Sequence, residues 1–351
     1  MSRAAAFCGE CELCAALIHL TSEVRMRVAM AALDNPYPPD YGGAEEIFAR
    51  IRAFARVGWE VDLTFFHKPE RAAVSHELTR WCRSVRGVPR KTGWRVALSA
   101  LPYPVAGRRA RVDCDGLPLI VEGVHCSRVE GPRAKTILRV HNVESEYYRE
   151  LAERETVLWK RVHYAVESRK LRRYEPRAWA AADVLACVSC DEARDLRAAG
   201  YDARWLPPFA ELRFYPPVET RNLLFYGNMA LAENRLSALR AARLQLPDGW
   251  TLTLAGRGAS RLSVPAKVLC VERPSDLEPL IARAAALVFP QTQRSGLKMK
   301  VWRALATDKP IFVTPEALQG TGLDFDPEKG IFPFDGDLGD RLANLRPRYE
   351  R

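Results

Sequence analysis

The most chemically pointed feature of this 351-residue chain is a pair of lysines at the start of a helix. They stand in the stretch 287–306, which opens with the apolar run Leu287-Val288-Phe289-Pro290. A polar loop then leads through Ser295 to Gly296, and Leu297-Lys298-Met299-Lys300-Val301-Trp302-Arg303 follows. The pattern reads as a buried strand, a glycine-closed loop and a helix. N–H groups and the positive end of the macrodipole point outward from such a helix start, where an anion fits. Cations there do little for the helix itself, so Lys298 and Lys300 make better sense facing a bound anion. The plainer alternative is a solvated helix start with surface lysines.

Three other groupings carry possible chemistry. His141-Asn142 follows directly on Thr136–Val140, which reads as a strand. Ligands of open α/β sheets bind outside the carboxyl ends of strands, which makes His141 a candidate ligand contact; a local structural hydrogen bond is the alternative. Gly42-Gly43 closes a proline-rich break, where two glycines let backbone come close to a ligand. Cys8, Cys11 and Cys14 have metal-like spacing with His19 nearby, yet no fourth cysteine or histidine completes a set. Cys187-Val188-Ser189-Cys190 lacks the residues of a redox motif and reads as core thiols. Nine cysteines, an odd number scattered through a long chain, fit reduced thiols and not a disulfide framework.

The length is comfortable for two domains, and 48% hydrophobic content is globular. No apolar run approaches the roughly 18 residues that would span a bilayer. Glu10 and Glu12 interrupt the only candidate signal peptide. The expectation is a cytoplasmic protein with a disordered extension over 1–25 and folded chain from Met26. The net charge of +10 is uneven: between Arg80 and Arg111 lie nine Lys/Arg and no acidic residue, interleaved with Trp81, Trp94 and Tyr103. Arg83, Arg86, Arg90, Lys91, Trp94 and Arg95 are the candidate patch for an anionic acceptor or membrane surface, with a solvated face as the plain alternative. Each basic residue near an anionic leaflet contributes about 1 kcal/mol. No nucleic-acid motif accompanies the segment, so nucleic acid is not an expected partner.

The elements that would position these residues come in two similar halves. Arg27–Leu33, a glycine-closed loop, a helix over 44–57 and Trp59–Phe66 open a doubly wound parallel sheet. Strands follow at 117–121 and 136–140. A helical region over 144–181 presents Leu151, Leu158, Val162 and Ala165 as its apolar face. A strand at 184–188, a helix at 191–199 and a strand at 203–206 complete the half. Prolines punctuate 207–217, the linker. The pattern restarts with Leu223–Tyr226 and Gly227-Asn228, a helix over 233–244, and Thr251–Ala255 leading into Gly256-Arg257-Gly258. A strand at 267–271 precedes a helix capped by Ser275-Asp276, and 310–314 is the last strand. A weaker helical signal covers 338–345. The expected fold class is α/β, two Rossmann-like doubly wound domains facing across a cleft, with domains over 26–208 and 209–351.

The ordered set of stretches resembles glycosyltransferases of the GT-B architecture, of the family-4 kind acting on nucleotide sugars. It is most similar to short bacterial members among polysaccharide-assembly enzymes. The matching stretches are PYPPDYGGA at 36–44, RVHNVESEYY at 139–148, ESRKLRRYE at 167–175, VSCDEARDL at 188–196, YGNMALAENRLSAL at 226–239 and FPQTQRSGLKMKVWRAL from 289 with KPIFVT after it. The resemblance implies that Gly42 and Gly43 border the sugar and diphosphate, that His141 lies near the transferred sugar with Asn142 beside it, and that Gly227, Asn228 and Asn234 line the donor side. Ser295, Gly296 and Leu297 would form the donor loop, and Lys298 and Lys300 would neutralise the diphosphate, where charge develops as it leaves. It implies a retaining, metal-independent transfer without a cofactor. The donor would be a nucleotide-diphosphate sugar and the acceptor a lipid-linked saccharide, reached from the inner face of the membrane. Closure across the 207–221 linker would complete the site. The chain departs from the pattern in two places: the family carries a glutamate that accepts from the ribose hydroxyls where this chain has Arg303, and an acidic residue before the glycine where this chain has Gln293 and Arg294. An arginine cannot accept hydrogen bonds, so either the ribose is held otherwise, or Arg303 itself meets a phosphate, or donor binding is weakened. Two alternatives stay open, a degenerate sugar-nucleotide-binding protein and a nucleotide-sugar epimerase. For the second, only His125 and Glu122 stand beside His141 as acid–base candidates.

Overall fold

The computed structural model describes residues 26–343 apart from 113, 210, 211, 217, 219, 273, 275, 336 and 337, together with residue 345. The C-x-x-C-x-x-C run and Ser275 therefore lie outside the described residues. The chain forms two compact units. One runs up to Phe209 and includes Ser295–Leu297; the other comprises Ala210–Arg294 and the chain from Lys298 onward.

The first unit contains β1 (Arg27–Ala32), α1 (Gly42–Arg56), β2 (Glu60–His67), α2 (His76–Trp81), β3 (Ser84–Pro89), α3 (Trp94–Ala97), α4 (Tyr103–Ala106), β4 (Ala110–Arg111) and β5 (Leu119–Glu122). It continues through β6 (Val129–Glu130), β7 (Thr136–Val140), α5 (Glu144–Arg154), α6 (Leu158–Ala180), β8 (Val184–Cys187), α7 (Cys190–Ala198) and β9 (Ala203–Trp205). Seven strands form one sheet in the order β3-β2-β1-β5-β7-β8-β9, every pair parallel. Central parallel strands are covered on both faces, so they read as unbroken apolar runs; RVAMAA in β1 is the clearest. The order reverses between β1 and β5, the switch point outside which ligands of such sheets bind.

The second unit contains β10 (Asn222–Tyr226), α8 (Ala232–Ala242), β11 (Thr251–Ala255), β12 (Val268–Val271), α9 (Glu278–Arg283) and β13 (Ala286–Phe289). After them come α10 (Met299–Leu305), β14 (Ile311–Val313), α11 (Pro315–Leu318), β15 (Ile331–Pro333) and α12 (Leu338–Ala343). Its strands lie β12-β11-β10-β13-β14-β15, again all parallel, the dinucleotide-fold order. Gly256, at φ +133, ends β11 so close to β10 that an added Cβ would sit 2.0 Å from the Gly227 carbonyl oxygen.

Three details of the sequence reading need correction. The strand at 310–314 is not the last, because β15 pairs with it at the edge of the second sheet. The helical region over 144–181, for which the sequence offers a break at Pro176, divides instead at 155–157 into α5 and α6, and Pro176 lies inside α6 without ending it. Leu158 and Val162, expected on a buried face, are exposed. No helix among the described residues is long and apolar enough to cross a membrane. The six described cysteines are free thiols.

Candidate functional site

The carboxyl ends of β5 and β7 hold a buried charge network. Glu46 and Arg50 stand one turn apart on α1, on the same side as the core residues Ile47 and Ile51, and both are almost fully buried. They tolerate burial because each finds an opposite charge. Arg50 donates to Glu46 Oε2 at 2.8 Å and to Glu122 Oε1, at the end of β5, at 2.5 Å. Arg139, inside β7, donates to Glu46 Oε1 at 2.8 Å and also to the Leu206 carbonyl. Two carboxylates and two guanidiniums balance. Burial opposes the charged form of Glu46, but Arg50 and Arg139 outweigh it and hold the carboxyl at about 2.

His141 is attached to this network. Its Nε2 lies 2.9 Å from Glu122 Oε2, so a carboxylate already held by Arg50 fixes the ring and leaves Nδ1 on the far side. Ligand atoms of Glu46, Glu122 and His141 lie within 4.8 Å of one another, close enough for a metal set. Both carboxylates there already accept from Arg50 and Arg139, so a divalent cation would compete with two guanidiniums for the same oxygens. A second imidazole sits alongside. At Gly123 (φ +75) an added Cβ would lie 3.5 Å from His125 Nδ1 and 3.8 Å from His141 Cδ2. His125 Nε2 is 3.5 Å from Glu144, to which Asn142 Nδ2 also donates at 3.4 Å. Glu175, reaching from α6, accepts the Glu144 and Ser145 backbone N–H groups at the start of α5. Burial raises its carboxyl to about 7 even so.

The remaining candidates of this unit fall into place around the network. Gly42 and Gly43 begin α1; a Cβ on Gly43 would press to 3.0 Å of the Tyr41 ring. The Ser295 N–H and Oγ both donate to Glu150, at 2.9 and 3.0 Å. Gly296 has φ +65, and a Cβ there would lie 1.9 Å from Asn142 Oδ1. Ser295, Gly296, Asn142 and Glu150 are thus one cluster. The basic patch divides. Arg83 and Arg86 sit on the edge strand β3, where Arg83 is 3.4 Å from Glu60 and Arg86 donates to the Arg111 carbonyl. The Arg90 and Lys91 backbones bond to His67 and Gly107. Trp94 and Arg95 form α3, with the guanidinium 5.3 Å from the indole centre.

In the second unit, Gly227, Asn228, Asn234 and Lys300 come together. Lys300 Nζ donates to Asn234 Oδ1 and lies 4.9 Å from the centre of the Phe225 ring. Asn234 Nδ2 in turn donates to the Asn228 carbonyl at 3.0 Å. A Cβ on Gly227 would lie 3.5 Å from Lys300 Nζ and 3.4 Å from Asn234 Cγ, in ordinary contact, so these groups stand directly against the end of β10. Lys298 precedes α10 and donates to the Arg294 carbonyl at 3.1 Å. Burial, with a smaller contribution from Lys298, pulls Lys300 down to about 7, while Glu233 pulls the other way.

Arg303 is occupied by the protein. It donates to Glu278 Oε1 at 2.7 Å; Arg213 bonds the same oxygen, and the Tyr215 hydroxyl donates to Oε2 at 2.5 Å. Burial opposes the Glu278 carboxylate, yet these donors hold it at about 2.

No protein-family model matches the chain. Among curated proteins, an uncharacterized 44.6 kDa protein in the cps region of Klebsiella pneumoniae is 24% identical over 337 residues, covering 84% of each chain. Among solved structures, Anabaena Alr3699/HepE in complex with UDP-glucose matches with a TM-score of 0.56 at 13% identity, over 91% of this chain and 89% of that one. WaaG, a glycosyltransferase involved in lipopolysaccharide biosynthesis, matches with a TM-score of 0.50 at 14% identity, over 91% and 89%. At such identities the likeness concerns the fold, and the fold is GT-B, two Rossmann-like domains.

Proposed function

We propose that this protein is a glycosyltransferase that moves a sugar from a nucleoside-diphosphate donor to a saccharide acceptor in cell-surface polysaccharide assembly. The observation that carries the reading is Lys300: a half-buried side chain whose amine lies beside a carboxamide and an aromatic ring, where burial disfavours the charged form more than Glu233 supports it and Lys298 adds a smaller repulsion. Two like charges in a poorly solvated place are costly, and a multiply charged anion removes the cost. The diphosphate of a sugar nucleotide is such an anion, and stabilising it as it leaves lowers the barrier. The GT-B fold, the UDP-glucose bound by HepE and the cps-region setting of the curated relative support the same reading.

In this proposal Lys298 and Lys300 take the diphosphate and His141, oriented by Glu122, takes a sugar hydroxyl. Transfer proceeds with retention and without a metal or cofactor, as the resemblance implies, to a lipid-linked saccharide at the inner face of the membrane. The test is the Lys298→Ala/Lys300→Ala double variant with a panel of uridine and guanosine diphosphate sugars. Transfer and donor hydrolysis should vanish while the far-UV circular dichroism is kept; full activity in that variant would sink the mechanism. A specific observation keeps one rival: the Glu122–His141 and His125–Glu144 pairs stand side by side, an acid–base set suited to a nucleotide-sugar epimerase. Product analysis with donor alone separates the two, since an epimerase needs no acceptor.

A further inference from the structure

Three arginines are buried among the described residues, Arg50, Arg108 and Arg139, and one lacks what the other two have. Arg50 and Arg139 each donate to a carboxylate, whereas Arg108, 6% exposed, has no carboxylate within 4 Å among the described residues. Its Nε donates to the Leu33 carbonyl just beyond β1 at 2.9 Å and its Nη1 to the Pro104 carbonyl at 2.6 Å, while Nη2 has no partner among the described residues. Carbonyl oxygens satisfy N–H groups but carry no net charge, so the cation stays uncompensated; a neutral amide would serve them without that cost. Burial lowers the pKa of Arg108, the nearby Arg90 lowers it further, and Asp34 opposes them. The Asp34 carboxylate is itself shared, accepting the Asn35 N–H at 2.9 Å and standing 3.4 Å from Arg71.

The backbone brings Arg90 to the same place. Arg90 directly follows β3; its N–H donates to the His67 carbonyl at the end of β2, and the Lys91 N–H donates to the Gly107 carbonyl, both at 2.9 Å. A Cβ on Gly107 would lie 2.4 Å from the Lys91 carbonyl oxygen, so glycine is what admits this approach. Arg90 and Arg108 flank that contact in the chain, and Arg90 likewise has no carboxylate within 4 Å among the described residues. Two like charges without an acid at hand are costly, and a bound anion removes the cost. Leu33, Arg90 and the turn after β5 all lie at carboxyl ends of strands, the rim where ligands of such sheets bind and where His141 stands. In that turn His125 has two buried ring nitrogens without hydrogen bonds, Nε2 lying 3.5 Å from Glu144. An imidazole in that state suits the hydroxyl groups of a saccharide.

We propose that Arg90 and Arg108 bind an oxyanion, carboxylate or phosphate, on the saccharide acceptor, so that the protein extends acidic acceptors in preference to neutral ones. Assigning the oxyanion to the acceptor rests on the glycosyltransferase reading, in which Lys298 and Lys300 take the donor's diphosphate; the oxyanion site itself does not. The full-length protein, without nucleotide, is titrated with methyl glucuronide, glucose 1-phosphate and the neutral methyl glucoside, read by saturation-transfer NMR. At least one anionic probe should bind about tenfold more tightly than the glucoside, and which one does so identifies carboxylate or phosphate as the group recognised. Arg90→Gln and Arg108→Gln should each weaken that binding about tenfold and leave the glucoside unaffected. Arg90 is half-buried and anchored by its backbone, so its variant keeps the test decisive should Arg108→Gln unfold. Equal binding of the three probes, no binding of either anionic one, or unchanged binding in Arg90→Gln overturns the proposal. So does a loss confined to Lys298→Ala/Lys300→Ala, because the probe then sits at the lysines of the second unit. Weakened binding of UDP-glucuronate but not of UDP-glucose in Arg90→Gln would overturn it too, the carboxylate then being the donor's. If Arg90-dependent binding persists while no nucleotide sugar binds, the glycosyltransferase reading fails and takes the acceptor assignment with it, and the oxyanion site remains.

Discussion

Nucleoside diphosphate binding should draw a proton onto Lys300. In the unliganded protein this side chain is held at about 7, against 10.5 for an ordinary lysine, by burial, which Glu233 opposes in part and Lys298 reinforces slightly. At pH 8 roughly nine in ten of these amines are therefore neutral. A diphosphate oxygen within hydrogen-bonding distance favours the ammonium, and an opposite charge that close raises such a group by about 1–3 units. With the bound value near 9 or above, binding at pH 8 takes up about 0.8 of a proton, at pH 7 about half, and at pH 6 about a tenth. Affinity should accordingly weaken about tenfold per unit between pH 7 and the bound value.

Calorimetric titration of UDP and GDP at pH 8, in two buffers that differ in ionisation enthalpy, reads the uptake directly. At that pH the terminal phosphate, which titrates at about 6, is already ionised and contributes nothing. Binding without uptake in the wild type, or equal uptake in Lys300→Gln, would refute the reasoning about Lys300 and leave the proposed function standing. Failure of every nucleotide to bind would remove both. The same shift fixes a stability trend. The unfolded chain binds more protons at this position between about pH 7 and 10.5, so its cost to folding is full below 7 and disappears as pH rises through that window. Lys300→Met should therefore stabilise the fold most at pH 6 and scarcely at pH 10.5, as thermal melts across that range will show.

Three further outcomes follow from named contacts. Glu122→Gln removes one of two carboxylates from a balanced buried set and leaves Arg50 undercompensated; it should cost about 3–5 kcal/mol in urea unfolding and mobilise the His141 ring, read as broadened imidazole resonances in NMR. Glu175 is raised to about 7, so the folded protein holds its proton more tightly than the unfolded chain. The stability it lends is complete below about 4.5 and is lost as pH rises to 7, and melting temperatures of Glu175→Gln should lack that decline. Arg303→Glu would set a second carboxylate against Glu278; it should lower stability by about 1 kcal/mol, a partly exposed pair being worth no more, and should not tighten UDP binding.

The doubly wound order of both sheets was legible because parallel strands leave continuous apolar runs and their ends leave glycine or small polar residues. What escaped notice depends on pairings distant in sequence. Arg50 meets Glu122 across 72 residues and Arg139 meets Glu46 across 93. Each looks alone like a stray charge in an apolar segment, and only the sheet order brings the four together. A signal was present in the i, i+4 pair Glu46 and Arg50, which falls on the buried side of α1 where charges are rare unless matched. The facing of α6 was misread for a related reason. Periodicity shows that Leu158, Val162 and Val166 share an arc, but not whether anything covers it. Arg303 illustrates the converse: set beside a family pattern it looks anomalous, whereas Glu278, 25 residues earlier, gives it an ordinary partner.

The cations around His141 and the one on α10 are treated in opposite ways, and the contrast bears on function more than either alone. Arg50 and Arg139 have carboxylates at 2.5–2.8 Å, so that charge is settled internally and the network can hold His141 without needing a ligand. Lys300 has a carboxamide and a ring face, and among the described residues no carboxylate lies within 4 Å of its ammonium. Replacing such a lysine with an apolar residue would stabilise the fold at neutral pH and below, so folding does not explain its presence. The proposed diphosphate, which brings its own negative charge, would. By the same measure, Arg303 paired with Glu278 resembles Arg50 and Arg139 of the first unit in having a carboxylate partner of its own.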